Sequence, residues 1–149
     1  MAELILVRHG QASFGAQNYD KLSPLGHRQA VALGHALRLQ GVLPDHFVIG
    51  SMVRHQETFE GIQQGLGQEP KEPIIHAGLN EYDFTGLLNA RFPNGSGPEG
   101  MHTDRKTHFK LLKETIRAWQ NDDIDNPPEM WAVFCERLAE AQDAIRALW

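Results

Sequence analysis

Leu4-Ile5-Leu6-Val7-Arg8-His9-Gly10 opens the apolar pattern of this chain and decides its reading. Four aliphatic residues bounded by a glycine have the length and composition of a short core strand, and an unbroken apolar run marks a strand covered on both faces. In α/β proteins, ligands gather at the carboxyl ends of such strands. Arg8 and His9 stand at that end. A guanidinium presents a planar fork of donors that matches phosphate oxygens, and an imidazole acts as nucleophile or proton carrier near neutral pH. The pair points to phosphoryl chemistry.

Outward from this stretch the chain alternates. Ser23 before Pro24 is a helix start, with a serine cap and a proline where the missing amide hydrogen costs nothing. Leu25, Val31, Leu33, Ala36 and Leu37 predict its buried stripe, and Gly41 its stop. A strand is expected over 47–49, a helix over 52–64 with Arg54 in its first turn, and a strand over 73–76. Backbone donors at a helix start favour an anion, so Arg54 and the helix terminus are expected to act together on phosphate. Strand, helix, strand, helix, strand is the order of a mostly parallel sheet flanked by helices. The fold class is therefore α/β, three-layered, in a single domain over 1–149.

Residues 82–104 are rich in Gly, Asn and Pro and read as a long loop, of the kind that often binds ligands or closes over a site. A helix is expected over 107–120, a break at 121–128, and a last helix from about residue 129. Met130, Phe134, Leu138, Ala141, Ile145 and Leu148 form the apolar stripe of that helix, and Phe109, Trp119, Trp131 and Trp149 read as core aromatics. Residues 82–128 thus form a loop and helical insertion. With three strand candidates and no strand after the last helix, the chain is expected to stop mid-fold. An unpaired apolar helix face or sheet edge would then favour self-association.

Composition bounds the function. A chain of 149 residues with 41% hydrophobic and 22% charged residues fits one soluble domain. Its net charge of -5 argues against coating nucleic acid or an anionic membrane, so an anion site must be local. A single cysteine, Cys135, excludes an internal disulfide. With no signal-peptide or membrane-length apolar run near Met1-Ala2-Glu3-Leu4 or elsewhere, the expected compartment is the cytoplasm. Eight histidines raise a metal reading, but neither His27 with His35 nor His102 with His108 has ligand spacing. No glycine-rich nucleotide loop is present, so neither a metal nor a cofactor is expected.

Three segments line up with the opening one: Leu22-Ser23-Pro24-Leu25-Gly26-His27-Arg28-Gln29-Ala30, Ser51-Met52-Val53-Arg54-His55-Gln56-Glu57-Thr58 and Leu79-Asn80-Glu81-Tyr82. In order and spacing, from Leu4 to about Gly86, the chain resembles the histidine phosphatase superfamily, branch 1, with its phosphoglycerate-mutase-like fold. That resemblance implies a phosphohistidine formed on His9, a phosphate clamp from Arg8 and Arg54, and Glu81 as proton donor to the leaving group. It also implies a second catalytic histidine on a late strand, which no residue here matches: His27, His35, His46, His55, His76, His102 and His108 all precede the last helix. The family often carries an asparagine where this chain has Ser13-Phe14-Gly15, so Gln11 and Ser13 stand as the substitute phosphate contacts.

The resemblance implies a metal-independent phosphomonoester hydrolase acting on a phosphorylated small molecule or a phosphoprotein. Residues 89–100 could serve the phosphoprotein as a docking lid. Two alternatives stay open: a noncatalytic phosphate-binding or regulatory module, and a mutase-type phosphotransferase. The mutase is disfavoured by the short segment after Gly10.

Overall fold

The computed structural model describes residues 3–13 and 19–149; Met1-Ala2 and Phe14-Gly15, which entered the reading above, lie outside them. The chain divides into two compact units, Met1–Asn80 with Ala141–Trp149, and Glu81–Glu140.

The first unit is built on α1 (Pro24–Leu39) and α2 (Val53–Leu66). Ser23 caps α1 as its sequence predicts, accepting from the Gly26 amide at 3.1 Å. After the cap residue Gln40, Gly41 takes φ +70 and ends the run. The expected stripe of large aliphatics is only partly right, because the residues of α1 that become fully buried are Gly26, Ala30 and Gly34. A Cβ on Gly34 would lie 2.2 Å from the Ile62 carbonyl oxygen, and one on Gly65 would lie 2.1 Å from that of Val31. Small residues therefore set how closely α1 and α2 approach. Ala30, Ile62 and Leu66 form the core there, flanked by Leu33, Leu37 and Phe47, whereas Leu25 is exposed.

β1 (Val48–Ile49) and β2 (Ile74–Ile75) pair in parallel, Val48 opposite Ile74 and Ile49 opposite Ile75. The α/β class and the parallel sense stand. The opening strand does not: Leu4 to Val7 pair with no strand among the described residues, and Leu6 is 85% exposed. An apolar run becomes a core strand only when neighbours take its edges and helices cover its faces, and the described sheet has just two short strands. After Gly10 the chain makes instead one antiparallel bridge, Ala12 to Leu22, with the Ser13 amide donating to the Lys21 carbonyl at 2.8 Å.

The second unit holds α3 (Phe84–Arg91), a 3-10 turn at Pro93–Gly95 and α4 (Arg105–Gln120); α5 (Trp131–Arg146) begins in it and ends in the first unit. The expected loop over 82–104 thus contains a helix. Asp83 caps α3 through the Gly86 amide at 2.8 Å, and Leu87 and Leu88 are buried, a local signal that the surrounding Gly, Asn and Pro obscure. Trp119 is the hub, packed with Leu87, Ile124, Tyr82, Trp131 and Phe134, and its indole donates to the Glu129 carbonyl at 2.7 Å. Two of the expected core aromatics are not core, Phe109 being 53% and Trp149 66% exposed. Within the α5 stripe only Ala141 is fully buried, and Met130 is exposed. No helix among the described residues is long and apolar enough to cross a membrane.

Candidate active site

His9 sits half-buried between exposed Arg8 and buried Gly10. Its Nδ1 lies 2.7 Å from the Gly10 carbonyl oxygen. A carbonyl only accepts, so Nδ1 carries the hydrogen and Nε2 of the neutral ring keeps its lone pair. The imidazole is thereby held in the tautomer that a nucleophile attacking through Nε2 requires.

Two contacts hold this segment in place. The Gly10 amide donates to Thr58 Oγ1 at 3.0 Å, and that hydroxyl donates to the Arg54 carbonyl at 2.7 Å, one turn back along α2. A Cβ on Gly10 would lie 2.5 Å from the Gly26 carbonyl oxygen, so only glycine lets the chain cross the first turn of α1 here. The histidine segment is thus seated on the first turn of α1 and the second turn of α2.

Arg54 is the second residue of α2, as the sequence predicts, and is 3% exposed. The start of α2 lacks a side-chain cap of its own. Asp20 supplies one from the preceding loop: its Oδ2 accepts from the Val53 amide at 2.9 Å, and its Oδ1 lies 3.5 Å from the Arg54 amide and 3.2 Å from Arg54 Nη1. The carboxylate meets both the positive helix end and the guanidinium, the two features expected to attract an anion. Arg54 also lies over the Tyr19 ring, 5.7 Å from its centroid. The Leu22 amide donates to Glu57 Oε2 at 2.7 Å, fastening the same loop to α2 one turn further on.

Gln11 is exposed and Ser13 half-buried. Gln11 is tied to the α1 cap, its carbonyl accepting from the Ser23 amide at 2.8 Å and its Oε1 from the Ser23 hydroxyl at 2.8 Å. Glu81 opens the second unit and is exposed, followed directly by Tyr82. The Tyr82 phenol titrates above its usual range, through burial first and the Glu81 carboxylate second.

Sequence reasoning missed three residues that the first unit adds. Asp20 and Thr58 hold the segments just described, and the His55 ring lies 6.2 Å from that of His9, centroid to centroid, at an interplanar angle of 47°. Thr58 had a readable signal, four residues beyond Arg54 on one helix face. Asp20 had none, because its partner is 34 residues away. Two concavities, one of about 590 Å³ around Phe92 and Met101 and one of about 440 Å³ around Phe59 and Lys71, are lined by none of Arg8, His9 or Arg54.

The model of the histidine phosphatase superfamily (branch 1) matches residues 4–148 of this chain. Among curated proteins it is 33% identical over 131 residues to the 2,3-bisphosphoglycerate-dependent phosphoglycerate mutase of Bartonella tribocorum, covering 84% of this chain and 58% of that protein. The mutase of the same name from Mesorhizobium japonicum is 30% identical over 161 residues, covering 97% of this chain and 78% of the relative. That from Methylocella silvestris is 32% identical over 128 residues, covering 76% and 62%. The chain thus spans less than two thirds of the first and third of these relatives. No solved structure matches it.

Proposed function

Because this chain belongs to the histidine phosphatase superfamily (branch 1), we propose that it is a metal-independent phosphomonoester hydrolase working through a phosphohistidine at His9. The observation that carries this is the Nδ1 hydrogen bond to Gly10, which leaves Nε2 as the nucleophilic nitrogen in a segment that follows Arg8 and is tied by the Gly10 amide to the helix bearing Arg54. Nε2 attacks phosphorus as the bond to the leaving oxygen breaks, and Glu81 gives that oxygen its proton. Water then cleaves the N–P bond, returning its proton to Glu81 and releasing inorganic phosphate. Arg8 and Arg54 spread the charge of the equatorial oxygens, and Gln11 and Ser13 are the further phosphate contacts. Residues 1–149 act as one such domain, with 82–128 as an insertion.

The substrate is a phosphorylated small molecule in the first place, with a phosphoprotein as the alternative, and the compartment is the cytoplasm, which suits a chain with one cysteine. A second reading has specific support. The relatives named above are mutases, and a mutase moves its phosphoryl group between two hydroxyls without releasing phosphate.

The deciding experiment is hydrolysis of an aryl phosphate in EDTA beside His9→Ala, with phosphoglycerate and 2,3-bisphosphoglycerate offered in parallel. Phosphate release that disappears in the variant supports the hydrolase. Isomerisation of phosphoglycerate without phosphate release overturns it in favour of the mutase. Phosphate bound without either reaction marks a binding module.

A further inference from the structure

Resting on the phosphatase reading above, we propose that His55 is a second imidazole of the phosphate site, donating from its ring to an oxygen of the phosphoryl group carried by His9. The residue lies in the first turn of α2, next to Arg54, and is half-buried. Its placement depends on Gly50 at the end of β1. A Cβ there would lie 2.2 Å from His55 Nδ1 and 2.5 Å from Asn80 Oδ1, so any larger residue would displace the ring. Asn80 and Ser51 close the same corner reciprocally, the Ser51 amide donating to Asn80 Oδ1 at 2.8 Å and Asn80 Nδ2 to Ser51 Oγ at 2.8 Å. The imidazole is seated in a built corner at the strand ends.

The spacing of the two rings carries the chemistry. Two imidazoles joined by a direct N–H···N hydrogen bond have ring centres roughly 5 Å apart, whereas an oxygen of a phosphoryl group bonded to one ring and accepting from the N–H of the other sets them about 6 Å apart. The observed 6.2 Å fits the second case. The ligand that carries such an oxygen on a nucleophilic Nε2, in a segment tied through Thr58 to the helix that bears Arg54, is a phosphoryl group. A donor from His55 would stabilise the charge developing on that oxygen during transfer, in addition to the arginines.

The test is an NMR titration of the whole chain with inorganic phosphate, following the imidazole ring protons of His9 and His55 assigned through bonds from their backbone signals in the wild-type chain. Both sets are expected to shift with one Kd. His55→Ala should weaken phosphate by about tenfold or more, the scale of one hydrogen bond to a charged group, and His55→Gln, which keeps an N–H donor, should weaken it less. Phosphate that moves the His9 signals while leaving those of His55 in place overturns the contact, even if no variant folds. A Kd within twofold of wild type in folded His55→Ala overturns it too. Failure of the phosphatase reading looks different: both rings respond to phosphate, yet no aryl phosphate is hydrolysed, and the contact then stands as a binding contact.

Discussion

The amide of Gly10 donates to Thr58 Oγ1 across 48 residues of sequence, tying the turn that bears His9 to the helix that bears Arg54. Both groups are buried. Thr58→Val keeps the shape of the side chain and removes the acceptor, leaving a buried N–H without its partner. That should cost about 1–3 kcal/mol in urea unfolding. Thr58→Ser keeps the hydroxyl and should recover most of the loss. If Val and Ser behave alike, the hydrogen bond contributes little and the tether is a matter of packing alone.

Asp20 caps α2 and meets the buried Arg54 with the same carboxylate. Asp20→Ala removes the cap and leaves the guanidinium without this counter-charge, and about 1–2 kcal/mol is expected from the cap alone. The charge pair adds less than its short distance suggests, because Asp20 is one-third exposed and water screens it. Asp20→Asn, which retains an oxygen for the amides, should fall between wild type and Ala. Equal thermal stability of all three would remove Asp20 from the α2 terminus as an energetic contributor.

Much of the first unit was legible because its signals are local. Ser23-Pro24 and the glycine after α1 carry their own backbone chemistry, and Arg54 follows from counting along a helix. The opening strand misled because four aliphatic residues state a preference for burial without saying whether partners exist to provide it. The α1 face misled for the opposite reason: a close helix crossing selects residues by smallness, so Gly26, Ala30 and Gly34 buried where a hydrophobic pattern favoured Leu25. Within the site, His9, Arg8 and Arg54 were readable as residue types in a pattern. Asp20 and His55 acquire meaning only through contacts that spacing does not encode.

The crossing of α1 and α2 yields a steric prediction. Gly34→Ala and Gly65→Ala each force a methyl against a backbone carbonyl that no rotamer can move aside. Each should cost about 1–3 kcal/mol or more, as overpacking does. Gly41→Ala is the control, with open space around it and only the left-handed φ of +70 to oppose it. Its cost should stay near 1 kcal/mol. A stability loss at Gly41 matching that at Gly34 would mean that backbone freedom, and not close approach, governs these glycines.

Glu81→Gln separates two effects of one carboxylate. As the proposed proton donor, Glu81 matters most when the leaving oxygen is a poor one, so its loss should slow alkyl phosphates far more than aryl phosphates. Equal losses on the two would exclude the acid role. The second effect concerns Tyr82, whose phenol is raised above 10.0 by burial first and by Glu81 second. The folded chain keeps that proton at a pH where the unfolded chain has already released it. The neutral phenol therefore contributes stability in full below pH 10.0, and this is lost as pH rises through the folded value. Removing the Glu81 charge abolishes only the smaller cause. In a Tyr19→Phe background, the phenolate absorbance midpoint of Tyr82 should fall in Glu81→Gln but remain above 10.0, and the stability lost to Tyr82 ionisation at alkaline pH should be smaller than in the parent. A midpoint that does not move would show that burial alone holds the phenol up.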